Sequence, residues 1–348
     1  MSTQYDVIVI GAGQAGLTTG YYLRQTKLSF LLLDQASALG QSWRQRYDSL
    51  RLFSPNAFNA LPGLAFPGRP DEYPSKDQVA AYLQSYAKRF ALPIQLQAQV
   101  RTLQKQADHF VIDTTQGTYE AKNVIVATGP FQKPYVPPFA ASLSARVFKI
   151  HTANYRTPRQ IPKGSVLVVG LGNSGAQIAV ELAPTHPVTV ASRTQPRFIR
   201  QIILGKSWMV WLKRLGLLRA SVSHWPGSAL ARRPEPIIGT ELRDLLKNKK
   251  VHLKPAVVGV SGDALLFADQ TKEHFTSIIW ATGFVPNYSW IKIPGLDPDK
   301  LPVHRTGSST IPGLYFVGLK FQATVSSGLL SGVGRDARAI VQRLVRYT

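Results

Sequence analysis

Two glycine-rich hexapeptides carry the clearest chemistry in this chain. Gly11-Ala12-Gly13-Gln14-Ala15-Gly16 follows the β-branched run 5–10, and Gly170-Leu171-Gly172-Asn173-Ser174-Gly175 follows the run 165–169. Glycines at the first, third and sixth positions after a strand permit a tight turn. They also let the backbone approach a pyrophosphate, which then rests on the positive end of the next helix. The following strands end differently. Asp34 closes the first, placed to accept hydrogen bonds from an adenosine ribose. Ser192-Arg193-Thr194 closes the second. A carboxylate there would repel a 2′-phosphate, whereas a guanidinium flanked by hydroxyls grips it. The first site reads as FAD and the second as NADPH, with hydride passing from nicotinamide to flavin between them.

The elements that must position these residues form two βαβ openings. A helix over 14–25 and a strand over 29–33 follow the first turn; a helix ending near 182 and a strand over 188–191 follow the second. Residues 124–129 (VIVATG) and 278–283 (IIWATG) are buried strands ending in small-residue turns. Each closes one nucleotide unit, so Ala127, Thr128 and Gly129 are counted with the FAD site, and Thr282 and Gly283 with the NADPH site. A strand over 314–317 and a helix over about 329–346 complete the chain. The expected fold is α/β, with two Rossmann-like dinucleotide-binding domains. The FAD domain comprises residues 1–155 and 284–348, and the NADPH domain, 156–283, is inserted into it.

Composition narrows the chemistry further. The 348 residues contain no cysteine, which excludes disulfides, thiolate metal sites and a redox-active Cys-x-x-Cys pair. No metal site is expected. No apolar run approaches the roughly 20 residues of a membrane span, and the first residues lack a secretory signal, so a cytoplasmic enzyme is expected. The net charge is +22, and the stretch 193–254 holds fourteen Lys/Arg against three Asp/Glu. Such charge favours anionic membranes, substrates or polyanions. The basic stretch shows no nucleic-acid-binding pattern. Within it, residues 202–218 (IILGKSWMVWLKRLGLL) read as a helix, apolar over most of its circumference with cations at its edges. Such a helix packs between the domains, or lies on an anionic membrane or beside the entry of apolar substrates.

Several further segments resemble the flavin-containing monooxygenases and the related plant auxin-forming enzymes. They are Gly40-Gln41-Ser42-Trp43-Arg44, residues 47–55 (YDSLRLFSP), Leu61-Pro62-Gly63, Tyr73-Pro74-Ser75-Lys76 and the tail 327–337 (SGLLSGVGRDA). With both glycine turns and both Ala-Thr-Gly turns, the resemblance spans nearly the whole chain. It implies that Gln41, Ser42 and Trp43 line the FAD and that Val100 holds the adenine through its backbone. It also implies that Gly318, Ala323 and Thr324 lie by the pyrophosphate and flavin ring. Of the family's linker motif, F-x-G-x-x-x-H-x-x-x-(F/Y), only His151 and Tyr155 are present, because Ala145-Arg146-Val147 replaces F-x-G. His151 is expected at a hinge. Leu319-Lys320 follows Gly318 where related flavoproteins often have an aspartate, so another group must meet the ribitol or phosphate.

The resemblance implies monooxygenation. NADPH reduces FAD, O₂ adds at flavin C4a, and one oxygen of the hydroperoxide passes to a small sulfur-, nitrogen- or carbonyl-containing substrate. The protein's work is then binding, orientation and a dry pocket. The competing expectation is an NADPH-dependent flavin reductase or oxidase passing electrons to a quinone or protein partner.

Overall fold

Both glycine turns follow strands whose residues are apolar on both faces, as parallel strands covered on two sides require. Val7, Val9, Val166 and Val168 are all fully buried. In the computed structural model, which describes residues 3–297 and 299–347, these strands lie at the centres of two separate sheets.

In the first sheet, Thr3–Ile10 lies between Phe30–Leu33 and Gly117–Val126, with Ile94–Gln95 beyond the former and Leu314–Phe316 beyond the latter, all parallel. Strand order reverses beside Thr3–Ile10, and ligands of such sheets bind at that reversal, beyond the carboxyl ends of the strands. Helices Gln14–Leu23, Lys76–Arg89 and Leu330–Tyr347 cover one face, packing Leu17, Leu83 and Ile340 against Val7, Val9 and Ile125. The helix Lys76–Arg89 starts where it does because Ser75 and Gln78 close a reciprocal capping box. An antiparallel ribbon, Val100–Gln106 and His109–Thr114, covers the other face through Leu103, Phe110 and Ile112.

The second sheet repeats this plan. Its five parallel strands run in the order Val251–Lys254, Val188–Ala191, Val166–Val169, Ser277–Trp280, Phe148–His151. Helix Asn173–Leu182 packs on one face through Ile178 and Leu182. A small antiparallel sheet seats Leu265 and Phe267 on the other. Phe148–His151 precedes residue 156 in the chain yet forms the edge of this second sheet. The chain crosses between the sheets twice, and the crossings pair with each other as Lys133–Pro134 against Phe284–Val285.

Residues 202–218 do not form the continuous helix expected of them. Ile202–Ile203 and Lys206–Ser207 pair as a hairpin, and only Trp208–Arg214 is α-helical. Gly205 and Gly216, both at φ +71°, interrupt the helical path at its two ends. Among the described residues, no helix is long and apolar enough to cross a membrane.

Candidate functional site

The two glycine turns have the same construction. Gly11 and Gly170 sit at φ +106° and +102°, where L side chains are strained. A Cβ on Gly11 would lie 2.7 Å from the Ala127 carbonyl oxygen, and one on Gly170 would lie 2.5 Å from that of Ala281. Each Ala-Thr-Gly turn is therefore seated against the first glycine of its own unit. Gly16 and Gly175 press in turn on the carbonyls of Gly11 and Gly170, which brings each helix onto its turn. The middle glycines differ from the others. A Cβ on Gly13 or Gly172 would meet nothing within 4 Å, so both face open space at a helix amino terminus. Neither helix has an acid in its first turn, so no side chain competes for the amides there. This cradle fits a dinucleotide pyrophosphate in both units.

Asp34 and Arg193 distinguish the two cradles. Asp34 Oδ2 accepts from the Ala12 amide at 2.6 Å, and Oδ1 from the Ala36 amide at 2.8 Å. The carboxylate thus braces the first turn at the end of its second strand. At the corresponding place in the second unit, the Ser192 hydroxyl donates to the Thr194 carbonyl at 2.7 Å. Arg193 and Thr194 are exposed beside it. Arg193 makes no ion pair among the described residues. Asn173 accepts from the Ile238 amide at 2.9 Å, and Ser174 is exposed at the start of its helix.

The carboxyl-terminal loop closes over the first turn. Gly318, at φ +89°, leaves no room for a Cβ against Ala15, and Gln14 Nε2 donates to the Gly328 carbonyl at 2.7 Å. The Ser327 hydroxyl accepts from the amides of Ala323 and Thr324 at 3.1 and 2.9 Å, fixing that pair close to the glycine turn. Behind Ser327 lies Asp336, 3% exposed, with one carboxyl oxygen unpartnered. Burial pushes its pKa up to about 6, partly offset by the Ser327 hydroxyl and the Arg335 guanidinium. No carboxylate follows Gly318; instead buried Gln322 spans that turn, accepting from the Leu319 amide and donating to the Phe316 carbonyl. Spacing alone gave no sign of Ser327, Gln322 or Asp336 as a group, although Ser327 and Asp336 both lie in the family-like tail.

The remaining expected residues are more dispersed. Gln41, Ser42 and Trp43 form a one-turn helix after Gly40, whose φ of +77° and contact with Ala80 admit only glycine. Trp43 packs on the first core, Ser42 is exposed, and Gln41 accepts from Ser37. Val100 begins the antiparallel ribbon. Thr128 and Gly129 are joined to Gln132, whose amide reaches both. Thr282 Oγ1 donates to the Tyr135 carbonyl.

His151 lies at the crossing between the sheets. Its Nδ1 accepts from the Ala153 amide at 3.0 Å, leaving Nε2 to donate to the Gly283 carbonyl at 3.0 Å. Burial holds its pKa below the usual histidine value, with the Gly283 bond opposing and nearby Arg46 adding to this, and the ring bridges the crossing between the two sheets. Arg46 itself lies between the rings of Phe131 and Phe284, 4.9 and 5.4 Å from their centres. Arg46 falls between the family-like segments 40–44 and 47–55, and neither marks it. Among the described residues no group of three or more His, Asp or Glu could hold a metal ion. A groove of about 1450 Å³ runs past Asp6, Lys105 and Arg343, and no residue of either glycine turn lines it.

The family profile for pyridine nucleotide-disulphide oxidoreductases matches residues 8–207. An uncharacterized oxidoreductase, CzcO-like, of Geobacillus kaustophilus is 46% identical over 98% of this chain and 99% of its own length. Probable indole-3-pyruvate monooxygenase YUCCA1 of Arabidopsis thaliana is 30% identical over 82% of this chain and 77% of its own. Among solved structures, a flavin monooxygenase from Stenotrophomonas maltophilia superposes with a TM-score of 0.83 at 29% identity, covering 99% of both chains. That molecule is a double variant with Arg and Thr in place of Gln and His. The chain belongs to the pyridine nucleotide-disulphide oxidoreductase family and, within it, is an oxidoreductase of the flavin-monooxygenase-like group.

Proposed function

We propose that the chain is an NADPH-dependent FAD monooxygenase that transfers one oxygen of O₂ to a small substrate bearing sulfur, nitrogen or a carbonyl. The observation that carries this reading is the pair of matching glycine cradles with opposite termini, Asp34 at one and Arg193 at the other. In this reading, segments 1–155 and 284–348 hold FAD and the insert 156–283 holds NADPH, with the strand Phe148–His151 lent to the insert's sheet. The Arg-Thr pair after Ser192 is also the pair introduced into the Stenotrophomonas variant.

Bound FAD, reduced by the nicotinamide, would supply the activation of O₂. The residues of this chain do the rest. Gly11, Gly13 and Gly16 with the amides beginning the helix Gln14–Leu23 hold the FAD pyrophosphate, and Asp34 holds the adenosine ribose. Gly170, Gly172 and Gly175 hold the NADPH pyrophosphate, and Ser192, Arg193 and Thr194 hold its 2′-phosphate. Gln41, Ser42, Trp43, Gly318, Ala323 and Thr324 flank the flavin, Ser327 fixing the last two. His151 and Arg46 would brace the crossing between the two sheets, with His151 bonded to Gly283 and Arg46 set between Phe131 and Phe284. Overall, substrate, O₂, NADPH and a proton give oxygenated product, water and NADP⁺. With no cysteine in the chain, electrons cannot leave through a dithiol of its own, as they would in a disulfide reductase.

The test is isotopic. Purified protein with FAD, NADPH, ¹⁸O₂ and a panel of thioethers, amines and ketones should place one labelled oxygen in a product. Complete recovery of the reducing equivalents as hydrogen peroxide, or as reduced quinone, would favour the reductase or oxidase instead.

A further inference from the structure

We propose that the hairpin of residues 202–207, with the short helix behind it, docks the protein on an anionic lipid bilayer. Ile202 pairs with Ser207 and Ile203 with Lys206, leaving Leu204 and Gly205 as a two-residue turn. Both have positive φ, +48° and +71°. Such a turn favours asparagine or aspartate followed by glycine, and a leucine in the left-handed region is strained. That leucine is also 84% exposed, and Ile202 and Ile203 beside it are exposed as well. Backbone preference and packing within the chain both disfavour leucine at this tip. Burial in hydrocarbon outside the chain favours it.

The tip stands on a firm base. Trp211 Nε1 donates to the Ile203 carbonyl at 2.9 Å, and the Trp208 amide to the Gln201 carbonyl at 3.1 Å. Met209 on the same helix is fully buried with Phe58 and Leu218. Leu215, exposed at the helix end, extends the apolar surface.

Charge identifies the occupant. Residues 193–234 contain nine Lys/Arg and no Asp or Glu. Lys206, Lys213 and Arg214 are exposed around the tip, and none is in an ion pair among the described residues. A second copy of the same face would meet it with like charge, and a nucleic acid offers no hydrocarbon to the leucine. A bilayer with anionic headgroups satisfies both, taking the aliphatic tip below the headgroups and the cations among them.

Co-sedimentation with vesicles tests this. The protein should pellet with phosphatidylcholine vesicles containing phosphatidylglycerol at low salt, be released as salt rises, and stay in solution with phosphatidylcholine alone. Leu204→Asn gives the turn its preferred residue, so folding is retained while partitioning falls about tenfold. Lys206→Gln should lower it about fivefold. The proposal is overturned if the wild type remains in the supernatant with anionic vesicles at low salt, or if Leu204→Asn pellets as the wild type does. It is equally overturned if sedimentation velocity without lipid shows a wild-type dimer that Leu204→Asn dissolves.

Discussion

The Gln14 side-chain amide donates to the Gly328 carbonyl at 2.7 Å, joining positions 314 residues apart. This bond ties the amino terminus of the first glycine helix to the loop that leads into the last helix. The two walls of the proposed FAD site are thereby held as one unit. Gln14→Ala should cost about 1 kcal/mol, seen as a fall of roughly 2 °C in melting temperature. FAD release, followed by the return of free-flavin fluorescence on dilution, should quicken several-fold. Unchanged release would mean that the loop is held by Ser327 and Gly318 alone.

Arg193 supplies the second prediction. A charged contact to a phosphate contributes about 1.5–3 kcal/mol, or roughly 10- to 150-fold in affinity. Arg193→Ala should raise the Michaelis constant for NADPH by that factor and leave that for NADH nearly unchanged. Equal losses with both coenzymes would remove Arg193 from the 2′-phosphate site.

Gly13→Val separates cofactor binding from folding. Gly13 has a φ of −76°, and a Cβ there meets no protein atom within 4 Å, so valine is accommodated by the empty protein. The space it fills is that of the pyrophosphate. The variant should melt as the FAD-free wild type does and bind no flavin. Purified protein that stays yellow with one flavin per chain would contradict the assignment. Gly16→Ala should behave differently, because its Cβ collides with the Gly11 carbonyl and folding itself suffers.

Asp336 gives a pH dependence. Its folded pKa, about 6, lies above the ordinary carboxylate value. Its contribution to stability is therefore complete at pH below about 4 and lost as pH rises through about 6. Asp336→Asn, which does not titrate, should match the wild type in acid and exceed it by about 3 kcal/mol at pH 8. Urea denaturation at the two pH values measures this, and an equal difference at both would show that Asp336 does not titrate in that range.

The elements around the glycine turns were legible because two local signals coincide there. Continuous β-branched runs mark strands buried on both faces, and glycines at fixed offsets mark turns that only glycine can make. Helix Asn173–Leu182 and strand Val188–Ala191 lie where those signals place them. The hairpin at 202–207 was misread because its aliphatic residues suit a helix surrounded by apolar packing equally well. Gly205 was the local signal against that helix. Strand order is a tertiary property, so no local pattern announced that Phe148–His151 joins the second sheet. Ser327 and Gln322 bond within six residues of themselves, in an irregular loop that no strand or helix period marks, whereas Arg46 meets two phenylalanines far along the chain. The partial motif marks His151 in the sequence, but its bond to the Gly283 carbonyl joins residues 132 apart and is visible only in the fold.

The most direct test of the proposed function is rapid mixing of the FAD-loaded protein, reduced anaerobically with NADPH, with oxygenated buffer, monitored by absorbance. A transient spectrum distinct from both reduced and oxidised flavin is expected, lasting well beyond mixing while NADP⁺ is bound and decaying faster when an oxygen-accepting substrate is present. Direct conversion of reduced to oxidised flavin, with no intervening spectrum and stoichiometric hydrogen peroxide whatever substrate is added, would contradict it.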